Sequence, residues 1–165
     1  MTSAPGPTDP PAAPHALSPR ISRTEQAERI RPFGIDMRVL LGSEATGGAF
    51  SALVAEIKPG EGPPPHCHHD REEYFYILDG SFRLSVAGRE ETVGAGTLVF
   101  VPRDTMHGFT NIGTASARVL EWTIPGSNEP YFRAVHRMEQ AGGFDPARFA
   151  EINQAFATEF APPPG

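Results

Sequence analysis

Gly60-Glu61-Gly62-Pro63-Pro64-Pro65-His66-Cys67-His68-His69-Asp70-Arg71-Glu72-Glu73-Tyr74-Phe75-Tyr76-Ile77-Leu78-Asp79-Gly80 is the stretch whose reading decides the fold of this chain. His66 and His68 stand two apart, so on an extended segment both point to one side while Cys67 points to the other. Glu72 and Glu73 open the next run, which continues to Leu78 with the aromatic and aliphatic character of a half-buried strand. Asp79-Gly80 ends it with a hairpin signal, because Gly accepts the positive φ of a type I′ turn. About forty residues later His107 follows another strand run, the one closing at Val101-Pro102. If the two strands lie side by side, three imidazoles and a carboxylate converge. Such a donor set suits Fe, Mn, Ni, Co, Cu or Zn, whereas an all-oxygen set suits Ca or Mg.

Outward from this stretch the same period of two persists. Ile35–Leu41, Phe50–Ile57, Phe82–Val86, Thr97–Val101 and Ala117–Ile124 read as further strands, with Ala87-Gly88 and Gly94-Ala95-Gly96 as turns. Six or more short strands with turns this close predict an all-β sandwich or small barrel and exclude a βαβ fold. After Pro125 the period lengthens. Asn128 and Pro130 open a helix carrying Phe132, Val135 and Met138 on one face and stopping at Gly142-Gly143. Asp145 then N-caps a second helix with Pro146 at its first position, and Phe149, Ile152, Phe156 and Phe160 follow at helical spacing. Both helices are expected to pack on the outside of the barrel. The organisation expected is a flexible Pro-rich and basic extension over residues 1–31, a barrel over 32–126 and a helical extension over 127–165.

The histidine pattern resembles the cupin superfamily. Gly60 to Gly80 is similar to the first cupin motif, G(X)5HXH(X)3–4E(X)6G, at every position. Gly96, Pro102, His107 and Asn111 are similar to the second, G(X)5PXG(X)2H(X)3N, with Asp104 standing where the family has Gly. Asp tolerates turn conformations, so an intact site is expected there. The resemblance implies the cupin double-stranded β-helix, a jelly-roll barrel. It also implies that His66, His68, Glu73 and His107 bind one divalent transition metal (Fe, Ni, Mn, Co or Cu, with Zn as a further choice). Glu73 is preferred to Glu72 because only Glu73 keeps the six-residue step to Gly80. His69 is expected on an exposed turn, and Cys67 as a small buried hydrophobe facing away from the metal.

Within that superfamily, Thr46 to Ser51, Gly62 to His66 and Glu73 to Gly80 resemble small single-domain proteins similar to quercetin dioxygenase. The implied activity is reaction of a flavonol or other enol with O2, with Glu73 also taking the hydroxyl proton. Small cupins resembling polyketide cyclases or isomerases imply a non-oxidative alternative with the metal as Lewis acid, and a non-catalytic metal- or ligand-binding cupin is a third. A homodimer is implied by the same resemblance. Phe75 and Ile77 share the face of Glu73, Phe109 shares the parity of His107, and Trp122 is placed with Phe82, Leu84, Phe100 and Leu120 by alternation alone. Together they predict an apolar, partly aromatic substrate chamber.

Composition narrows the partners. Charged residues are 21% and hydrophobic residues 39%, enough for a core. The formal charge of −6, with Arg20 to Arg31 as the one dense basic stretch, argues against a nucleic-acid binder. No apolar run is long enough for a membrane helix, and residues 1–17 lack the pattern of a signal peptide. Cys67 is the single cysteine, so a reducing cytoplasm is the expected setting.

Overall fold

The computed structural model describes residues 17–162. The extended tail expected over 1–16 lies outside them. Strands β1 (Glu28–Ile30), β2 (Asp36–Leu41), β3 (Ser51–Ile57), β4 (His66–His68), β5 (Glu72–Asp79), β6 (Ser81–Val86), β7 (Arg89–Gly94), β8 (Leu98–Val101), β9 (His107–Asn111) and β10 (Ala117–Ile124) come first. Helices α1 (Asn128–Gly142) and α2 (Pro146–Ala155) follow, and β11 (Thr158–Phe160) comes last. All pairings are antiparallel. One sheet runs β1-β2-β3-β10-β5-β8 and the other β11-β4-β9-β6-β7, which is the expected all-β jelly roll.

Alternation explains the core. Glu73, Phe75 and Ile77 on β5 are buried while Tyr74, Tyr76 and Leu78 face outward, and on β10 Ala117, Val119, Glu121 and Thr123 are buried between more exposed neighbours. Leu53, Ile57, Phe82, Leu84 and Val101 complete the inner layer. Each large apolar side chain buried there contributes about 1.5–3 kcal/mol. A second cluster, Tyr131, Val135, Met138 and Ile152, joins the two helices.

Three features differ from the sequence reading. Asp79-Gly80 joins no hairpin: β5 pairs with β10 and β8, whereas β6 pairs with β7 and β9, so the chain crosses there from one sheet to the other. Gly80 is still required, since its φ is 85° and a Cβ would collide with that of Ala117. Ala87-Gly88, both at positive φ, make the true hairpin between β6 and β7. Residues Glu28–Ile30, expected in the flexible extension, form an edge strand on β2, and Glu28 pairs with Arg133 of α1 at 2.6 Å. Finally, α2 stops at Ala155, and Ala157 at φ 46° turns the chain, so Phe160 lies on a strand and not on a helix. Its helical spacing from Phe156 is coincidental.

Candidate metal centre

The centre is assembled across the two sheets. His66 and His68 point inward from β4, a strand of three residues held between β9 and β11. His107 on β9 stands directly opposite His66. Glu73 enters from β5 of the facing sheet. All four side chains are buried, and one donor atom from each lies within 4.8 Å of the others.

Each imidazole is oriented by its far nitrogen. His66 Nδ1–H donates to the Pro64 carbonyl at 2.8 Å, His107 Nδ1–H to the Thr105 carbonyl at 2.9 Å, and His68 Nδ1–H to Thr158 Oγ1 at 3.2 Å. Thr158 can only accept from His68, because its own hydroxyl donates to the Phe156 carbonyl at 3.1 Å. All three rings are thereby fixed with Nε2 toward the centre, the arrangement that metal-binding histidines require. Glu73 Oε2 lies 2.8 Å from His107 Nε2 and 3.2 Å from His68 Nε2. For an ion with bonds of ~2.1 Å, adjacent octahedral ligands are ~3.0 Å apart. These residues therefore fit a divalent transition metal.

The electrostatics agree. Burial, then the neighbouring His107, hold the His66 imidazole down at about 3, and burial also lowers His68, so both rings are neutral. Burial works against the Glu73 carboxylate, yet His68 and His107 together keep its pKa well below the usual range. His107, opposed by burial, is raised by its hydrogen bond to Glu73. A divalent cation would replace the proton those two groups share.

Four residues that the sequence reading did not single out surround the ligands. Asn128, at the start of α1, donates from Nδ2 to Glu73 Oε1 at 2.7 Å and to Glu121 Oε1 at 2.5 Å. Arg71 donates through Nε to Asn128 Oδ1, and through its terminal nitrogens to Asp70 at 2.6 Å, the Phe156 carbonyl at 2.8 Å and Thr158 Oγ1 at 2.9 Å. Burial, then the Glu73 carboxylate, push Glu121 well above the carboxylate range. Glu121 carried a weak signal only, a lone carboxylate within an apolar strand run whose inward face the sequence did not decide. Arg71, Asn128 and Thr158 have no local signal, since their partners lie 57 and 90 positions away in the chain.

The C-terminal extension, expected on the outside, thus supplies Asn128 and Thr158 to the centre, and the Phe160 ring stacks on His66 at 5.4 Å. Substituting Thr158→Val removes the hydroxyl that orients His68 and receives Arg71. The expected outcome is metal affinity lowered about 10- to 100-fold with the fold retained, read by competition with a chromophoric chelator; unchanged affinity would show that Thr158 does not position the ligand.

Phe75, Ile77 and Phe109 do face inward, with Phe75 6.1 Å from the His107 ring and 5.2 Å from Phe109. They close on each other: the cavity among them is about 10 Å³, room for one water at most. The expected open chamber is therefore a packed core. Trp122 lies on the opposite face of β10, stacked on Tyr74 at 5.3 Å, and so points away from the metal ligands, as do Phe100 and Leu120. Alternation fixed their parity but not which parity faces in. Cys67 is buried and turned away from the centre, and His69 is half-exposed on the outer side, both as expected.

Residues 53–123 match the family model of the cupin domain. Polyketide synthase CurC of Streptomyces cyaneus is 30% identical over 116 residues, which cover 69% of this chain and 75% of CurC. The chain belongs to the cupin family. Among solved structures, the polyketide cyclase RemF from Streptomyces resistomycificus superposes on this cupin with a TM-score of 0.56 and 25% identity, over 65% of this chain and 80% of RemF. Quercetin 2,3-dioxygenase of Bacillus subtilis is 25% identical over 147 residues, 84% of this chain but 43% of the dioxygenase. No helix among the described residues is long and apolar enough to cross a membrane.

Proposed function

We propose that this cupin is a metal-dependent enzyme that closes or rearranges a ring in an enolisable, apolar or aromatic small molecule, without consuming O2. The observation that carries this reading is the buried carboxyl pair, Glu73 and Glu121, bridged by Asn128 directly behind the metal ligands. A divalent transition metal held by His66, His68, Glu73 and His107 would supply Lewis acidity toward a substrate carbonyl. Beside it, Glu121, whose pKa burial and Glu73 push well above the carboxylate range, serves as the acid, while Glu73 is held well below it. Asn128 orients both carboxyl groups, and Arg71 anchors Asn128. Substrate approaches from the side where Phe160 covers His66, since the barrel interior is full. CurC and RemF, both polyketide proteins by name, support this chemistry. Pairing of two copies, as in the family, fits the exposed Leu98, Phe100 and Ile124 on one sheet's outer face.

The O2-dependent dioxygenase reading is favoured by a different observation, the three-His, one-Glu donor set shared with redox-active centres, and by the likeness to the Bacillus enzyme. Turnover under nitrogen separates the two. The metal-loaded protein is given a flavonol and a poly-β-ketone-derived phenol, with and without O2. Ring closure or isomerisation that proceeds anaerobically, with kcat falling about 10²- to 10⁴-fold in Glu121→Gln at unchanged metal content, supports the cyclase. Turnover that requires O2 and consumes it stoichiometrically transfers the assignment to the dioxygenase.

A further inference from the structure

β4 has a second face. The alternation that sends His66 and His68 inward sends Cys67 and, past the end of the strand, His69 to the other side. Strand β11 pairs there with Glu159 directly opposite Cys67. Cys67 Sγ lies 3.8 Å from His69 Nε2, and Glu159 Oε2 lies 3.3 Å from the same nitrogen. The three donor atoms fall within 4.8 Å of one another. On its far side His69 Nδ1–H donates to Asp104 Oδ1 at 2.6 Å, which leaves the Nε2 lone pair aimed at the thiol and the Glu159 carboxylate. A carboxylate behind a histidine is the support that metal-bound imidazoles carry. Asp104 holds this position at φ 59°, a conformation costing on the order of 1 kcal/mol for a residue with a Cβ, at the place where the cupin motif has Gly.

The spacing suits a tetrahedral ion. Around a tetrahedral zinc with bonds of ~2.3 Å to sulfur and ~2.05 Å to nitrogen or oxygen, the S···N edge is ~3.6 Å and the N···O edge ~3.3 Å. The observed 3.8 and 3.3 Å are close to these two edges, and the third, sulfur to carboxylate oxygen, is within 4.8 Å. We propose that Cys67, His69 and Glu159 form a second metal site for zinc or a zinc-like divalent ion, with water as the fourth ligand and Asp104 positioning His69. A thiolate with an imidazole selects such ions over Mg²⁺ and Ca²⁺. Half-exposed His69 and exposed Glu159 leave an entry path to the buried thiol. The consequence is mechanical: the ion ties β11, with Thr158 and Phe160, onto the strand that carries His66 and His68.

Cobalt distinguishes this site from the barrel centre, because only this one contains sulfur. The full chain, stripped of metal, is titrated with Co²⁺ while near-ultraviolet thiolate-to-cobalt charge transfer is recorded. The band is expected to appear in the wild type and in His107→Ala, where the barrel centre is crippled. It should vanish in Cys67→Ser, and the affinity it reports should fall at least about tenfold in Glu159→Gln and in His69→Gln. His69 and Glu159 are exposed enough that their variants fold. A wild type that takes up Co²⁺ without the band overturns the proposal. So does a band whose midpoint is unmoved by Glu159→Gln and His69→Gln. Neither result touches the assignment of the barrel centre, which is read without sulfur.

Discussion

Substituting His66→Ala is expected to remove most of the metal from the barrel centre. Measured by elemental analysis at known protein concentration, in a chain also carrying Cys67→Ser so that only the centre is counted, the content should fall from near one equivalent to below about a tenth. The reason is geometric. His66 is one of three imidazoles whose Nε2 atoms are aimed inward by carbonyl or hydroxyl acceptors on Nδ1, and no nearby side chain can take its place. The remaining set, His68, Glu73 and His107, already shares a proton between Glu73 and His107, so a weakened ion competes poorly with it. Metal content equal to that of the unsubstituted protein would sink the assignment of His66 as a ligand.

The second large effect is on stability. Arg71→Met should lower the free energy of unfolding by about 3–5 kcal/mol, seen as a reduced urea midpoint. The Arg71 side chain is fully buried and serves four acceptors, on Asn128, Asp70, Phe156 and Thr158. Methionine fills similar volume but leaves the buried Asn128 Oδ1 without a donor, a cost of about 1–3 kcal/mol, and takes one donor each from Thr158 Oγ1 and the Phe156 carbonyl. It also removes the positive charge that Arg71 places near the buried Glu121 carboxyl. Arg71→Lys should recover only part of the loss, because an ammonium cannot reproduce the planar fork. A loss below about 1 kcal/mol would mean that the network contributes little and that the C-terminal extension is held by its apolar contacts alone. The same variant tests the coupling of fold to site: with Asn128 and Thr158 released, Glu73 and His68 lose their support together.

Sequence by itself determined most of the barrel strands and which four residues are the candidate ligands. Histidines two apart on an extended segment must share a face, whatever surrounds them, and a carboxylate and a third histidine at cupin spacing complete the set. The alternation of β5 and β10 likewise follows from the pleat, and Asp145 with Pro146 marks the start of α2 by local hydrogen bonding alone. These are properties of a few neighbouring residues. What only the tertiary structure decided depends on partners far along the chain. Parity could not say that Trp122 faces outward, because both faces of β10 carry apolar residues and only the closure of the two sheets chooses between them. Asp79-Gly80 carries the composition of a hairpin turn, yet β5 finds β10 and β6 finds β9, since burying both inner faces outweighs the local preference. Phe160 keeps helical spacing but is drawn into a strand by β4, which needs a partner for its backbone groups. Glu121, Asn128 and Thr158 come from three separate elements, and Arg71 from the connection between β4 and β5. They meet because a buried carboxylate and three oriented imidazoles leave polar atoms that only the folded chain can pair.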